Sequence, residues 1–175
     1  AHLRRNPSRP ATDQAVDLAI AAKGSVLPAL DALLGTTEAG DVDIQATLTQ
    51  SEAFRIGLNP DALEAWRLAG GRIEMTRLVS VKGQARIEAT GQFLIDQTHR
   101  PAGQLQASLA GIRQIAGIPV GGLAAGIGGL LGGRLSAQLP GAAPGLTALP
   151  PVVLREGRVY LGPIRLPLQP LPVLY

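Results

Sequence analysis

Two carboxylate pairs stand at short spacing in this chain, Asp41 with Asp43 and Asp13 with Asp17. Paired acids are the minimum equipment for glycoside hydrolysis, in which one carboxyl donates a proton and the other attacks or activates water. The Asp41/Asp43 row continues through Gln45, Thr47 and Thr49, the pattern of a strand's wet face. The second pair reads the same way. His2 lies in an extended leading segment and His99 in a turn, so both are expected to be solvent residues rather than members of a triad or a metal site. The six serines include no Gly-x-Ser-x-Gly elbow. With no cysteine in the chain, thiol catalysis, thiolate metal sites and disulfides are excluded. No enzyme, cofactor or metal site is therefore expected.

The glycine-rich run at 121–134 offers three further chemistries. A phosphate loop needs lysine and a hydroxyl after its last glycine, but Gly133 is followed by Arg134 and Leu135. The dinucleotide pattern also fails, because Leu131 stands where its third glycine belongs. The uncharged stretch 114–133 is long enough for a bilayer and carries small-xxx-small spacing at Gly122/Gly126 and Gly129/Gly133. Pro119 interrupts it, and a span here would divide one sheet across a membrane. A packing helix remains. Its seven glycines between 121 and 133 cost about 6–7 kcal/mol relative to alanine, so it needs tertiary support.

The elements that position these residues follow from periodicity. Val16, Leu18, Ile20 and Ala22 alternate with polar or small residues, as do Val42, Ile44, Ala46 and Leu48; both runs predict half-buried strands. Ile73 and Met75 open another, whose parity changes before Leu78 and predicts a bulge near Thr76 or Arg77. Ala85, Ile87, Ala89, Phe93 and Ile95 form an inner row with a kink at Gly91, and Leu105, Ala107 and Leu109 form the next. Residues 152–162 predict a hairpin turning at Glu156-Gly157. Helices are expected at 27–34, 60–69 and 119–136. The second has a capping Asn59, Pro60 at its first position and a Gly70-Gly71 exit. Trp66, at helical spacing from Ala62 and Leu63, is expected to pack that helix onto the sheet.

At 175 residues the chain suits one domain, here 12–166, between an extended segment at 1–11 and a proline-rich extended tail at 167–175, an edge or a solvated end. Aromatic residues supply only 3% against 46% hydrophobic, so the core is aliphatic and stacking platforms for bases are absent. Charge is uneven: residues 1–96 carry a net −2 and residues 97–175 a net +5. That balance suits lipid or an anionic membrane surface and argues against nucleic acid. The chain opens on Ala1 without a charged-then-apolar leader, which reads as a mature product or a piece of something longer.

The runs at 66–75, 82–96, 100–105 and 156–164, in this order and spacing, resemble an uncharacterised bacterial envelope family, domain of unknown function 2125. The resemblance covers most of residues 12–166. It implies a periplasmic protein, anchored to the inner membrane by a segment absent from this chain, of which the chain is the C-terminal half. A missing N-terminal half is then an expected partner. The family brings no catalytic residues.

The fold expected is α+β: a curved antiparallel meander of about six or seven strands with short helices on one face, similar to half of an envelope lipid-transfer module. The function expected is non-enzymatic binding of lipid or another apolar ligand on a concave sheet face. Val16, Leu18, Ile44, Leu48, Ile87, Phe93, Leu105, Leu123, Ile127 and Leu130 would line the site, with Arg113 and Arg134 near headgroups. The alternative is a structural, protein-interaction module with no small-molecule ligand.

Overall fold

Strict alternation of apolar and polar side chains builds a sheet with one dry face, and here the backbone does so almost from its first residue. The computed structural model describes residues 1–26, 31, 37–112, 114–115, 118–119 and 145–175. Its strands, in chain order, are β1 (His2–Arg5), β2 (Val16–Ser25), β3 (Gly40–Leu48), β4 (Ile73–Lys82), β5 (Ala85–Ile95), β6 (Pro101–Ala110), β7 (Gln114–Ile115), β8 (Ile118–Pro119), β9 (Thr147–Ala148), β10 (Val152–Arg155), β11 (Arg158–Leu161) and β12 (Ile164–Arg165). The α-helix among the described residues is α1 (Pro60–Leu68).

β1 to β6 pair in sequence order, all antiparallel, and β10, β11 and β12 continue the sheet beyond β6, with β9 also pairing β6. The expected meander is therefore present, as an open antiparallel sheet in an α+β chain. It is larger than the six or seven strands anticipated, because the short segments β1, β9 and β12 also pair. β7 and β8 form a separate ribbon. Pro119 thus sits in a two-residue strand instead of opening a helix. The helix expected at 27–34 and the glycine run at 121–134 lie outside the described residues, Asp31 excepted. No helix of the described residues is long and apolar enough to cross a membrane.

Residues directly opposed in antiparallel strands share a face, so the registers show whether the alternation agrees from strand to strand. Val16, Leu18, Ile20 and Ala22 stand opposite Leu48, Ala46, Ile44 and Val42. These in turn oppose Ile73, Met75, Leu78 and Ser80, in register only because Thr76 is extruded between Met75 and Arg77. The same extra residue disturbs the pairing with β5 between Met75 and Leu78. The bulge is where the parity change predicts it. Ile87, Ala89 and Phe93 then face Leu109, Ala107 and Gly103. Ala89, Ala107, Leu109, Ile115, Leu149, Leu161 and Leu166 form the buried core cluster. The Glu156-Gly157 hairpin is also as expected, with φ of 52° and 68° at its two central residues and Arg155 opposite Arg158.

The bulge turns Ser80 and Lys82 toward the dry side. The Lys82 side chain is fully buried and its ammonium donates to the carbonyls of Glu38 at 3.0 Å and Ser25 at 3.3 Å. The buried Asp31 carboxylate lies 2.6 Å away, an electrostatic contact and not a directed hydrogen bond. Lys82 therefore ties β4 to both ends of the β2–β3 connection.

Two substitutions test this framework. Lys82→Met leaves the Asp31 charge buried and unpaired, and is expected to lower stability by about 3–5 kcal/mol, most of which the double substitution Lys82→Met/Asp31→Leu recovers. Gly71→Ala places a Cβ 2.3 Å from the Trp66 indole and is expected to cost about 1–3 kcal/mol by overpacking. Urea unfolding checks both, as a lower midpoint at unchanged slope.

Candidate functional site

α1 starts and stops as its sequence dictates. The Asn59 side chain accepts from the Ala62 N–H at 2.8 Å, Pro60 occupies the first turn without a wasted donor, and Gly70 leaves in the left-handed region at φ 73°. Its inner stripe, Ala62 and Trp66, is buried. The Trp66 indole donates to the Thr49 carbonyl at 2.6 Å, which fixes the helix over the end of β3. Phe54, from a short 3-10 turn at Ser51–Phe54, packs against Trp66 with ring centroids 5.8 Å apart.

Beneath this roof runs an apolar groove of about 470 Å³, within the roughly 300–1,000 Å³ of small-molecule sites. Its floor is Leu48, Ile73, Phe93 and Leu154, which fall on one cross-strand row. Leu63, Trp66 and Phe54 roof it, Ile95 and Pro101 close one end, and Leu58 and Leu174 stand at its mouth. Leu58 is 79% exposed and Leu174 43%, so the groove opens to solvent through aliphatic side chains. All of its lining side chains are apolar, apart from the ring N–H of Trp66, which is already engaged.

Leu174 is positioned by the tail. Its N–H donates to the His99 carbonyl at 2.9 Å, and the Tyr175 ring stacks on the His99 imidazole at 4.4 Å. The Tyr175 hydroxyl donates to Glu64 Oε2 at 2.7 Å, while Arg67 grips both Glu64 oxygens at 2.8 and 2.7 Å. Farther back, Arg100 donates to the Leu171 carbonyl and Leu171 N–H to that of Gly157. The tail is extended as expected; it is tied down by these contacts while most of its side chains stay exposed. His99, expected to be a solvent residue, is instead the surface on which the tail lands. Its Nε2 lies 3.6 Å from Glu64.

The sequence-derived candidates separate. Leu48 and Phe93 line the groove. Val16 lines a neighbouring cavity together with Leu48, and Leu18 contributes to a cavity beside β1 that is lined mainly by polar-face residues. Ile87 is buried, while Ile44 and Leu105 lie half-buried on the same face outside the groove. Leu123, Ile127, Leu130, Arg113 and Arg134 lie outside the described residues. The carboxylates are engaged: Asp43 pairs with Arg77 at 3.2 Å, and Asp41 accepts from the Gly24 N–H at 3.1 Å. Asp17 accepts from Asn6 at 2.8 Å and Thr47 at 3.0 Å, and Asp13 pairs with Arg9 at 3.5 Å. No group of three or more potential metal ligands occurs among the described residues. Phe54, Leu63, Pro101, Leu154 and Leu174 were missed. Phe54, Pro101, Leu154 and Leu174 sit in a turn, near strand ends or in the tail, where periodicity carries no signal, whereas Leu63 lies on α1 and was read only as part of its packing stripe.

The double grip of Arg67, then the Tyr175 hydrogen bond, holds the Glu64 carboxyl at about 2, well below its ordinary 4.5. A lowered carboxylate pKa contributes stability above the unfolded value and loses it as pH falls through the folded one. The tail is therefore expected to stay docked from neutral pH down to about 4.5 and to release as pH approaches about 2. The Tyr175 ring resonances in an acid titration report this directly, and Glu64→Gln is expected to abolish the dependence in that window.

No curated protein and no solved structure matches the chain. A family model described as an uncharacterized protein conserved in bacteria (DUF2125) matches residues 1–170, taking in every strand of the sheet and α1. The groove and the contacts that close it are thus features of a chain that belongs to the bacterial DUF2125 family.

Proposed function

We propose that this chain is a non-enzymatic module of the bacterial envelope that holds the acyl portion of a lipid, or another apolar ligand, in the groove between α1 and the sheet. The observation that carries this reading is the mouth of the groove. Leu58 and Leu174 are held at the surface with large apolar exposure, beside a channel of about 470 Å³. A hydrophobic core alone does not require an open side, and an aqueous substrate would need convergent polar groups. Burying the exposed leucines against hydrocarbon is favourable by about 25 cal/mol per Å². This arrangement is compatible with half of a lipid-transfer module on a curved sheet, held in the periplasm by an inner-membrane anchor.

A second reading, a protein-interaction module without a small ligand, draws on Ile56 and Leu68. They are 82% and 70% exposed and lie outside the groove lining.

The two are separated by purifying the chain without detergent, extracting it for lipid mass spectrometry, and titrating it with the apolar fluorophore N-phenyl-1-naphthylamine. Co-purified acyl lipid and saturable probe binding are expected. Leu58→Asp and Leu174→Asp, both at partly exposed positions, are expected to weaken the probe at least about fivefold with melting temperature little changed. A ligand-free protein that does not bind the probe overturns the groove reading in favour of the interaction module.

A further inference from the structure

The apolar groove does not end at Phe54. Phe54 and Leu48 are shared with a second, larger cavity of about 830 Å³, whose lining includes Arg5, Arg9 and Arg55 against one acid, Glu52. The sheet joins the two. Arg5 on β1 stands directly opposite Val16, Val16 opposite Leu48, Leu48 opposite Ile73, and Ile73 opposite Phe93. One cross-strand row therefore runs from a cation at the sheet edge to the middle of the apolar floor. Four interstrand steps of about 4.8 Å make it roughly 19 Å long. An acyl chain spans half of a bilayer core about 30 Å thick, or roughly 15 Å, and so fits along the row.

The three arginines are not equivalent. The Arg9 guanidinium is held by Glu74 and Asp13, and Arg55 pairs with Glu52 at 2.8 Å. Arg5 is exposed and has no ion pair among the described residues. A basic side chain without a counterion, at the end of an apolar row, is the arrangement that an amphipathic anion complements. Guanidinium suits phosphate through paired N–H donors.

We infer that the ligand class is an anionic acyl lipid, with its chain on the Val16–Phe93 row and its phosphate headgroup at Arg5, with Arg55 nearby. The inference rests on the groove reading above and adds the headgroup. It differs from the placement of headgroups near Arg113 and Arg134 that the sequence suggests.

The test uses two probes with the same chain, 1-palmitoyl lysophosphatidate and uncharged 1-palmitoylglycerol, each below its micellar concentration. Trp66, the one tryptophan of the chain, lines the groove and reports binding by fluorescence; calorimetry confirms it. The parent chain is expected to bind the phosphate probe about tenfold more tightly than the neutral one, a preference that shrinks as ionic strength rises. Arg5→Gln, checked by an unchanged melting curve, is expected to remove the preference while leaving affinity for 1-palmitoylglycerol as it was. Equal binding of both probes by the parent, or a preference that survives Arg5→Gln, overturns the headgroup assignment and leaves the groove intact. Failure of both probes to bind overturns the groove reading together with it.

Discussion

One extra residue in β4 decides which side of the sheet is dry. Without Thr76 extruded from the ladder, every β4 side chain beyond it would change face, and Arg77, Val79 and Val81 would point where Leu78, Ser80 and Lys82 now point. Leu78 packs against the core cluster, whereas Arg77 in its place would bring an unpaired charge to the centre of the apolar face. The bulge therefore keeps the middle of the sheet apolar, and it does so at the expense of the far end, where a serine and a lysine are buried. The Lys82–Asp31 contact, with its two carbonyl acceptors, answers that expense. A buried cation without such partners would lose far more in solvation than its aliphatic stem regains.

The opposite end of the same face meets a different demand. There the row through Leu48, Ile73 and Phe93 needs cover, and a nine-residue helix is too short to be stable by propensity alone. Trp66 supplies both its apolar area and its anchor, because the indole ring fills the interface while its N–H satisfies the Thr49 carbonyl. Gly71 then has to remain without a side chain so that the backbone can pass the ring. The cover is incomplete: Leu58 and Leu174 stay exposed beside the groove. An interior closed at one end by a buried ion pair and left open at the other is polarised, and the open end is where the ligand reading lies.

Much of this was legible in the sequence because strand alternation and helix capping are local. The two-residue period of β2, β3, β5 and β6, the parity change at Thr76, the Asn59-Pro60 start, the Glu156-Gly157 turn and the core-facing Trp66 can each be read within a dozen residues. The groove was not legible, for a reason equally physical. Its walls come from the ends of β3, β4, β5, β6 and β10 and from the tail, and which strand ends meet depends on registers that no single segment encodes. Reading apolar rows along strands spread the site over their whole length, and one residue so chosen, Ile87, is buried. The row that matters runs across the strands. His99 misled for a related reason: a histidine in a polar turn looks solvated until Tyr175, 76 residues later in the chain, stacks upon it.

The edge strand sets a charge at the end of the apolar row. An exposed edge invites pairing with another chain, and charged side chains are a common defence. β1 carries Arg4 and Arg5 in succession, so alternation sends one to each face. Arg4 reaches Asp17 on the polar face at 3.3 Å, where a carboxylate is available among Asn6 and Thr47. Arg5 lands beside Val16 on the apolar face, where the strand partners offer only aliphatic side chains. The same dipeptide thus yields one arginine that completes an internal network and one that does not. Edge protection alone explains the presence of two charges but not the lack of a counterion for the second. The proposed amphipathic anion, lying along the apolar row, would supply that counterion and cover the leucines at the groove mouth in the same step.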